Sequence, residues 1–258
     1  MLLDGDIPTP SNLLILNADP GMEDPRTYRY LKYMGQLCQK KGLRLITVPG
    51  PNLYEDLLNL QHTDKTRIDN PPFYTKSPEG KKGRLMQKCT QAYKIAPMDR
   101  FIRRFMEQKC KVSRKSKRIP EGSVHKWIGF SVDEIDRIKE STTQKYIRFV
   151  YPLVELKLTK DDCKQLILDK GRPLPPRSVC NACFANSPAY YKELHESQPD
   201  AWRKAVNVDD SIRNLTQVGI NDECYVSSTL MPLRDLPDVN FLGDGPDEDC
   251  SHPGHCFI

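Results

Sequence analysis

The hydrophobic pattern changes period along the chain, and those changes mark its elements. An uninterrupted apolar run, Leu13 to Leu16, is followed by Asn17-Ala18-Asp19-Pro20-Gly21 and predicts a strand covered on both faces, as in a parallel sheet. Asp24-Pro25 then opens a helix with Tyr28, Leu31, Gly35 and Cys38 on one side, ending at Gly42. Leu43 to Val48 is a second apolar strand. Strand, helix, strand at this spacing predicts a right-handed βαβ unit with neighbouring parallel strands. Asp19, just past the first strand, sits at the edge where α/β sheets bind ligands. The adjoining Pro20-Gly21 suits Asp19 equally to an ordinary turn.

Further along, Asn52 to Gln61 reads as a short helix with Leu53, Leu57 and Leu60 inward, and His62 to Gly83 as a loop rich in Asp, Asn, Pro, Lys and Gly. Leu85 to Gln108 regains helical period: Ile95, Met98, Ile102 and Phe105 share one side while Arg100, Arg103 and Arg104 occupy another. Val124 to Phe130 predicts a strand. Ser131-x-x-Glu134 has the form of a capping box opening a helix through Ile135 and Ile138. Tyr146 to Val154 reads as extended, and Thr159 to Gly171 as a helix. Two helices separated by Pro199 follow, the second with Trp202, Ala205, Val208, Ile212 and Leu215 at steps of three and four, a core-packing pattern. Gly219 to Ile258, rich in Pro, Asp and Gly, is expected to be mostly irregular. The pattern predicts an α/β domain over 1–158 and a helical, cysteine-containing C-terminal appendage over 159–258.

A chain of 258 residues is long enough to bury a sizeable core. No apolar run approaches the length of a membrane span and no signal-peptide pattern opens the chain, so a cytoplasmic protein is expected. The formal charge of +5 hides an asymmetry: Lys76 to Arg118 holds 15 Lys and Arg against 3 acids, while only acids follow Arg234. This basic segment, 76–118, can attract nucleic acid or a phosphorylated small molecule, or be a solvated helix face and loop.

Nine cysteines, an odd number, without a secretion signal argue against a disulfide framework. Arg172 to Asn186, RPLPPRSVCNACFAN, is a proline-stiffened approach to Cys180-x2-Cys183. Two thiolates at that spacing grip one soft metal ion or two corners of an iron–sulfur cluster, which is half a site. Candidates for the other half are Cys89, Cys250 and Cys256, with Cys224 as a spare. Four thiolates suit a [4Fe–4S] cluster or zinc, and His252 and His255 keep zinc open. Cys38, Cys110 and Cys163 read as apolar core thiols.

Four segments, CTQAYKIAPMDRFIR, IGFSVDEIDRIK, YPLVELKLTKDDC and GRPLPPRSVCNACFANSP followed by AWRKAVNVDDSIR, resemble in this order the phosphoadenosine phosphosulfate reductase-like branch of the PP-loop superfamily, especially its phage-borne members. GDIPTPSNLLILNADPGME is similar to that family's second strand and acidic turn. The resemblance implies a doubly wound, mostly parallel Rossmann-like sheet. It also implies an adenine nucleotide, ATP or phosphoadenosine phosphosulfate, that supports sulfate reduction or sulfur or nitrogen transfer. Carried over by position, Asp19 lies at the nucleotide edge, Lys94 and Arg100 on the basic side of the pocket, and Gly129 and Arg137 on a later strand-to-helix turn. Glu134, on that same turn, is a helix cap or a catalytic base. Cys89, Cys180 and Cys183 match ligand positions, and Cys250 and Cys256 the Cys-containing C-terminus.

The family's Ser-Gly-Gly-x-x-Ser loop, whose N–H groups hold phosphate at a helix start, has no counterpart in this sequence. MLLDGDIP corresponds to the last turn of the helix after it. Three accounts stand: a start further upstream, a loop supplied by a partner, or a degenerate member keeping fold and metal site. The alternative function is therefore a catalytically degenerate, metal-stabilised protein that binds nucleic acid or a partner.

Overall fold

The computed structural model describes residues 1–60, 71–111, 118–138 and 144–238. Its described residues form two compact units, 1–98 with 176–238, and those within 99–175. The boundary expected after residue 158 falls inside the second unit. The chain is α/β with short parallel strand pairs, and no described helix is long and apolar enough to cross a membrane.

In the first unit β1 (Ile15–Ala18) and β2 (Leu45–Val48) pair in parallel, Ile15 opposite Leu45 and Ala18 opposite Val48, across the helix α1 (Pro25–Lys40). The neighbouring parallel strands expected from the apolar runs are there, each starting two residues late. Asp24 caps α1 by accepting from the Arg26 N–H at 2.7 Å, and Pro25 occupies the first turn, where its missing N–H costs nothing. At the other end Gly42 takes φ 69°, which lets the Leu43 N–H reach back to Cys38 O at 2.9 Å.

Asn52 caps α2 (Leu53–Leu58). The stretch expected to be a loop contains a hairpin, β3 (Tyr74–Lys76) and β4 (Lys82–Arg84), paired antiparallel. Its turn is Ser77-Pro78-Glu79-Gly80, with Gly80 at φ 82° and its N–H on Ser77 O. The single helix expected from Leu85 begins later, with a π-helical stretch Thr90–Ile95 running into α3 (Ala96–Lys109). Ala96 N–H bonds to Gln91 O, five residues back. Pro97, which has no N–H to give to Tyr93 O, accounts for the widened turn.

The second unit contains the rest of α3 and a parallel pair, β5 (Val124–Trp127) and β6 (Ile147–Val150). Two expectations fail here. Ser131 opens a 3-10 segment, Val132–Arg137, not an α-helix, because Glu134 departs from helical geometry at φ −117°. The extended stretch through Val154 ends at Val150 and gives way to a short helix, α4 (Pro152–Glu155), started by its proline. Thr159 caps α5 (Lys160–Asp169) as its sequence predicts.

The chain then returns to the first unit with α6 (Pro188–Ser197), α7 (Pro199–Ser211) and β7 (Glu223–Tyr225), which adds to β3 antiparallel. These helices are not an appendage. Tyr191, Leu194, Ala205, Val208, Ile212 and Leu215 are buried with Leu53, Leu57 and Phe73 in one core. Burying a Leu or Ile side chain stabilises by about 1.5–3 kcal/mol, so the C-terminal helices carry a large share of this unit's stability.

Candidate functional site: a three-thiol cavity

The C-x2-C loop is held against the turn that follows β1. Asp24 N–H donates to Val179 O at 2.9 Å and Asn181 N–H to Met22 O at 2.8 Å, so Glu23 and Cys180 face each other as an isolated antiparallel bridge. The loop's own shape is set from within. Cys183 N–H bonds to Cys180 O at 3.1 Å, Asn186 Nδ2 donates to Cys180 O at 3.1 Å, and the buried Tyr191 hydroxyl donates to Cys183 O at 2.7 Å. The β1 turn is equally constrained. Gly21 takes φ 78°, and a Cβ there would come within 2.3 Å of Asn52 Oδ1, so only glycine fits.

Cys89 stands at the entrance to the π-helical stretch, a kind of helix irregularity often found at functional sites. Cys89, Cys180 and Cys183, together with Tyr93, Lys94 and Phe184, line one cavity of about 20 Å³, room for a single water-sized body or ion. All three are thiols and half-buried. Lys94 is only 8 % exposed at its side chain, and its Nζ lies 2.6 Å from Glu23 Oε1. Ser178 Oγ donates to the other Glu23 oxygen at 3.3 Å. The cavity therefore has a buried charge pair under one wall.

Of the expected ligands, Cys89, Cys180 and Cys183 share this cavity, whereas Cys250 and Cys256, with His252 and His255, lie outside the described residues. Among the described residues no three His, Cys, Asp or Glu side chains stand close enough to hold one metal ion. The donor chemistry thus suits a soft metal, while the described side chains do not form a closed ligand set. Cys224 is buried in the core, where burial pushes its thiol up to about 11. Cys38 is buried as expected, but Cys110 and Cys163 are only half so.

Asp19 and Lys94 belong to the first unit; Arg100, Gly129 and Arg137 belong to the second. Asp19 Oδ1 accepts from the Gly21 N–H at 2.7 Å and the Tyr28 hydroxyl at 2.8 Å, a turn-holding role. In the second unit Arg100 is exposed. Gly129 lies just past β5, and a Cβ there would meet Leu153 only at ordinary contact distance, 3.9 Å. Arg137 pairs with Glu134 and sits 4.4 Å over the Phe130 ring, and Glu134 also accepts from the Ser131 N–H at 3.5 Å.

The neighbouring Asp24 yields a pH prediction. Burial pushes its carboxyl up, but bonds from the Arg26 side chain and N–H and from the Tyr190 hydroxyl outweigh this and hold it below the ordinary aspartate range. A depressed carboxylate contributes stability that is complete above its unfolded value, about 3.9, and is lost as pH falls through the folded value. Asp24→Asn should therefore remove part of the acid sensitivity in the window below about pH 4. Acid unfolding curves of the two proteins with the same slope in that window would disprove it.

Compared with protein-family models, with curated proteins and with solved structures, the chain has no match. The Glu23–Lys94 pair and the β3–β4 hairpin escaped sequence reasoning. The hairpin had a readable signal in Ser77-Pro78-Glu79-Gly80; the ion pair, with 71 positions between its members' numbers, had none.

Proposed function

We propose that this protein is a PP-loop-like, phosphoadenosine phosphosulfate reductase-like protein of the cytoplasm whose thiols Cys89, Cys180 and Cys183 form most of a metal centre. The observation that carries the reading is their convergence: Cys89 comes from some ninety residues before the C-x2-C pair and yet lines the same small cavity. Metal binding at such a site contributes to folding, because the unfolded chain does not hold its ligands together. The centre would be held by these three cysteines and completed by Cys250 or Cys256. It would supply a staple for the fold, or electron storage if it is a [4Fe–4S] cluster. A cavity of about 20 Å³ has room for a single ion and not for a cluster, and the three thiols would have to close in on that ion to ligate it.

The nucleotide part of the reading rests on the resemblance and on the β1–α1–β2 unit, whose strand ends lead into Asp19 at the edge that α/β sheets use for ligands. A doubly wound sheet and an adenine nucleotide, ATP or phosphoadenosine phosphosulfate, belong to the same proposal.

The test is anaerobic purification with metal analysis and an absorption spectrum. The expected result is iron with thiolate-to-iron charge-transfer bands, or zinc without them, near one centre per chain, and loss of that metal in Cys180→Ser and Cys183→Ser. Wild-type protein with neither metal, or variants that keep it, would remove the basis for the centre.

A further inference from the structure

A second cleft opens beside the cysteine loop, with a volume of about 540 Å³, within the range of small-molecule sites. The hairpin β3–β4 supplies one wall with Tyr74, Lys82 and Arg84, and the chain leaving Cys183 supplies the other with Phe184, Asn186 and Ser187. Phe184 also lines the three-thiol cavity, so one aromatic ring separates the two.

Both cations of the cleft lack an acidic partner among the described residues. Arg84 lies over the Phe184 ring at 5.4 Å, and Lys82 lies over the Tyr74 ring at 4.7 Å while donating to Ser228 O at 2.6 Å. Acids on the same sheet are engaged elsewhere: Glu79 accepts from Ser77 Oγ, and Glu223 accepts from the Tyr225 hydroxyl. Two rings hold the cations in place, and each cation keeps N–H groups for a further acceptor. A guanidinium fork beside an ammonium matches a phosphate group.

On the opposite wall Asn186 is 3 % exposed and gives its Nδ2 to Cys180 O, so it shapes the wall from behind while the Phe184 ring lines it. Inorganic phosphate alone is too small to fill this volume.

We propose that this cleft binds a small phosphate ester of mononucleotide size, its phosphate on Arg84 and Lys82 and the rest of the ligand along the Phe184 wall. The site is separate from the sheet edge at Asp19 and stands whether or not the thiols hold a metal.

The experiment is calorimetric titration of the full chain with ADP, inorganic phosphate and a short unphosphorylated oligothymidine. ADP should bind more tightly than phosphate or oligothymidine. Arg84→Glu and Lys82→Glu should each weaken ADP by about tenfold or more, the size expected for a hydrogen bond to a charged group. Lys81→Gln, an exposed neighbour outside the cleft, should leave it unchanged. Both target side chains are exposed, so the melting temperature should not move. Absence of ADP binding, ADP affinity unaltered in Arg84→Glu, or preference for the oligothymidine overturns the proposal. Metal content plays no part in these readouts, so a failed metal centre and a failed phosphate site give different results.

Discussion

Asp209→Ala should destabilise the first unit by about 3–5 kcal/mol, the cost of stripping the partner from several buried donors at once. The Asp209 side chain, 1 % exposed, sits on α7 and ties three segments together. Its Oδ1 accepts from the Val226 N–H at 2.9 Å, its Oδ2 from the Leu233 N–H at 3.0 Å, and Arg213 pairs with it from the next turn. Val226 and Leu233 are fully buried, and alanine leaves their N–H groups with no water to turn to.

Burial pushes the Asp209 carboxyl up, and Arg213 and the two amides pull it back only in part. The ion pair is therefore a poor source of net stability. The large loss on truncation comes from the stranded donors, and this separates Ala from Asn. Asp209→Asn keeps an acceptor for one amide and should cost less than Asp209→Ala. Urea unfolding followed by Trp202 fluorescence in a Trp127→Phe background reports on the same helix. A loss below about 1 kcal/mol in Asp209→Ala, the size of an ordinary single hydrogen bond, would show that this network does not organise the unit.

The parts of this fold that could be read from sequence are those decided by neighbours in the chain. Asp24-Pro25, Asn52 and Thr159 each announce a helix start, and each helix begins there. The apolar runs at Leu13 and Leu43 announced β1 and β2, with the parallel pairing their connection demands. Much of what failed depends on distant partners, although the Ser131 capping box failed locally, at Glu134. The strand at Tyr74–Lys76 has no alternating pattern, because both Tyr74 and Thr75 are buried between β4 and β7. The helices after the C-x2-C looked peripheral by position, yet Ile212 and Leu215 pack where Leu53 and Phe73 also pack. In the candidate site the cysteine spacing was legible, since Cys180-x2-Cys183 is local. The neighbourhood of Cys89 rested on resemblance, and Lys94 could be placed in a pocket but not matched to Glu23.

That match leads to the second large effect. Lys94→Met should destabilise by about 3–5 kcal/mol, because it leaves Glu23, a carboxylate with a 5 % exposed side chain, uncompensated in a dry setting. Glu23→Gln combined with Lys94→Met removes both charges, keeps a group able to accept from Ser178, and should recover most of the loss. The same pair governs the cysteine loop, because Glu23 faces Cys180 across the bridge and the flanking backbone bonds carry Val179 and Asn181. An unpaired Glu23 gains by reaching water, and it can reach water only by pulling that bridge apart. The single variant should therefore also expose its thiols, with faster labelling of Cys180 by a disulfide reagent, and the double variant should restore slow labelling. Unfolding curves measure the first effect and labelling rates at Cys180, read by peptide mass mapping, measure the second. If single and double variants lose equal stability, the strain lies in side-chain volume and not in charge. If labelling stays slow in Lys94→Met, the loop is held by its internal bonds from Asn186 and Tyr191, and the buried pair does not clamp the site.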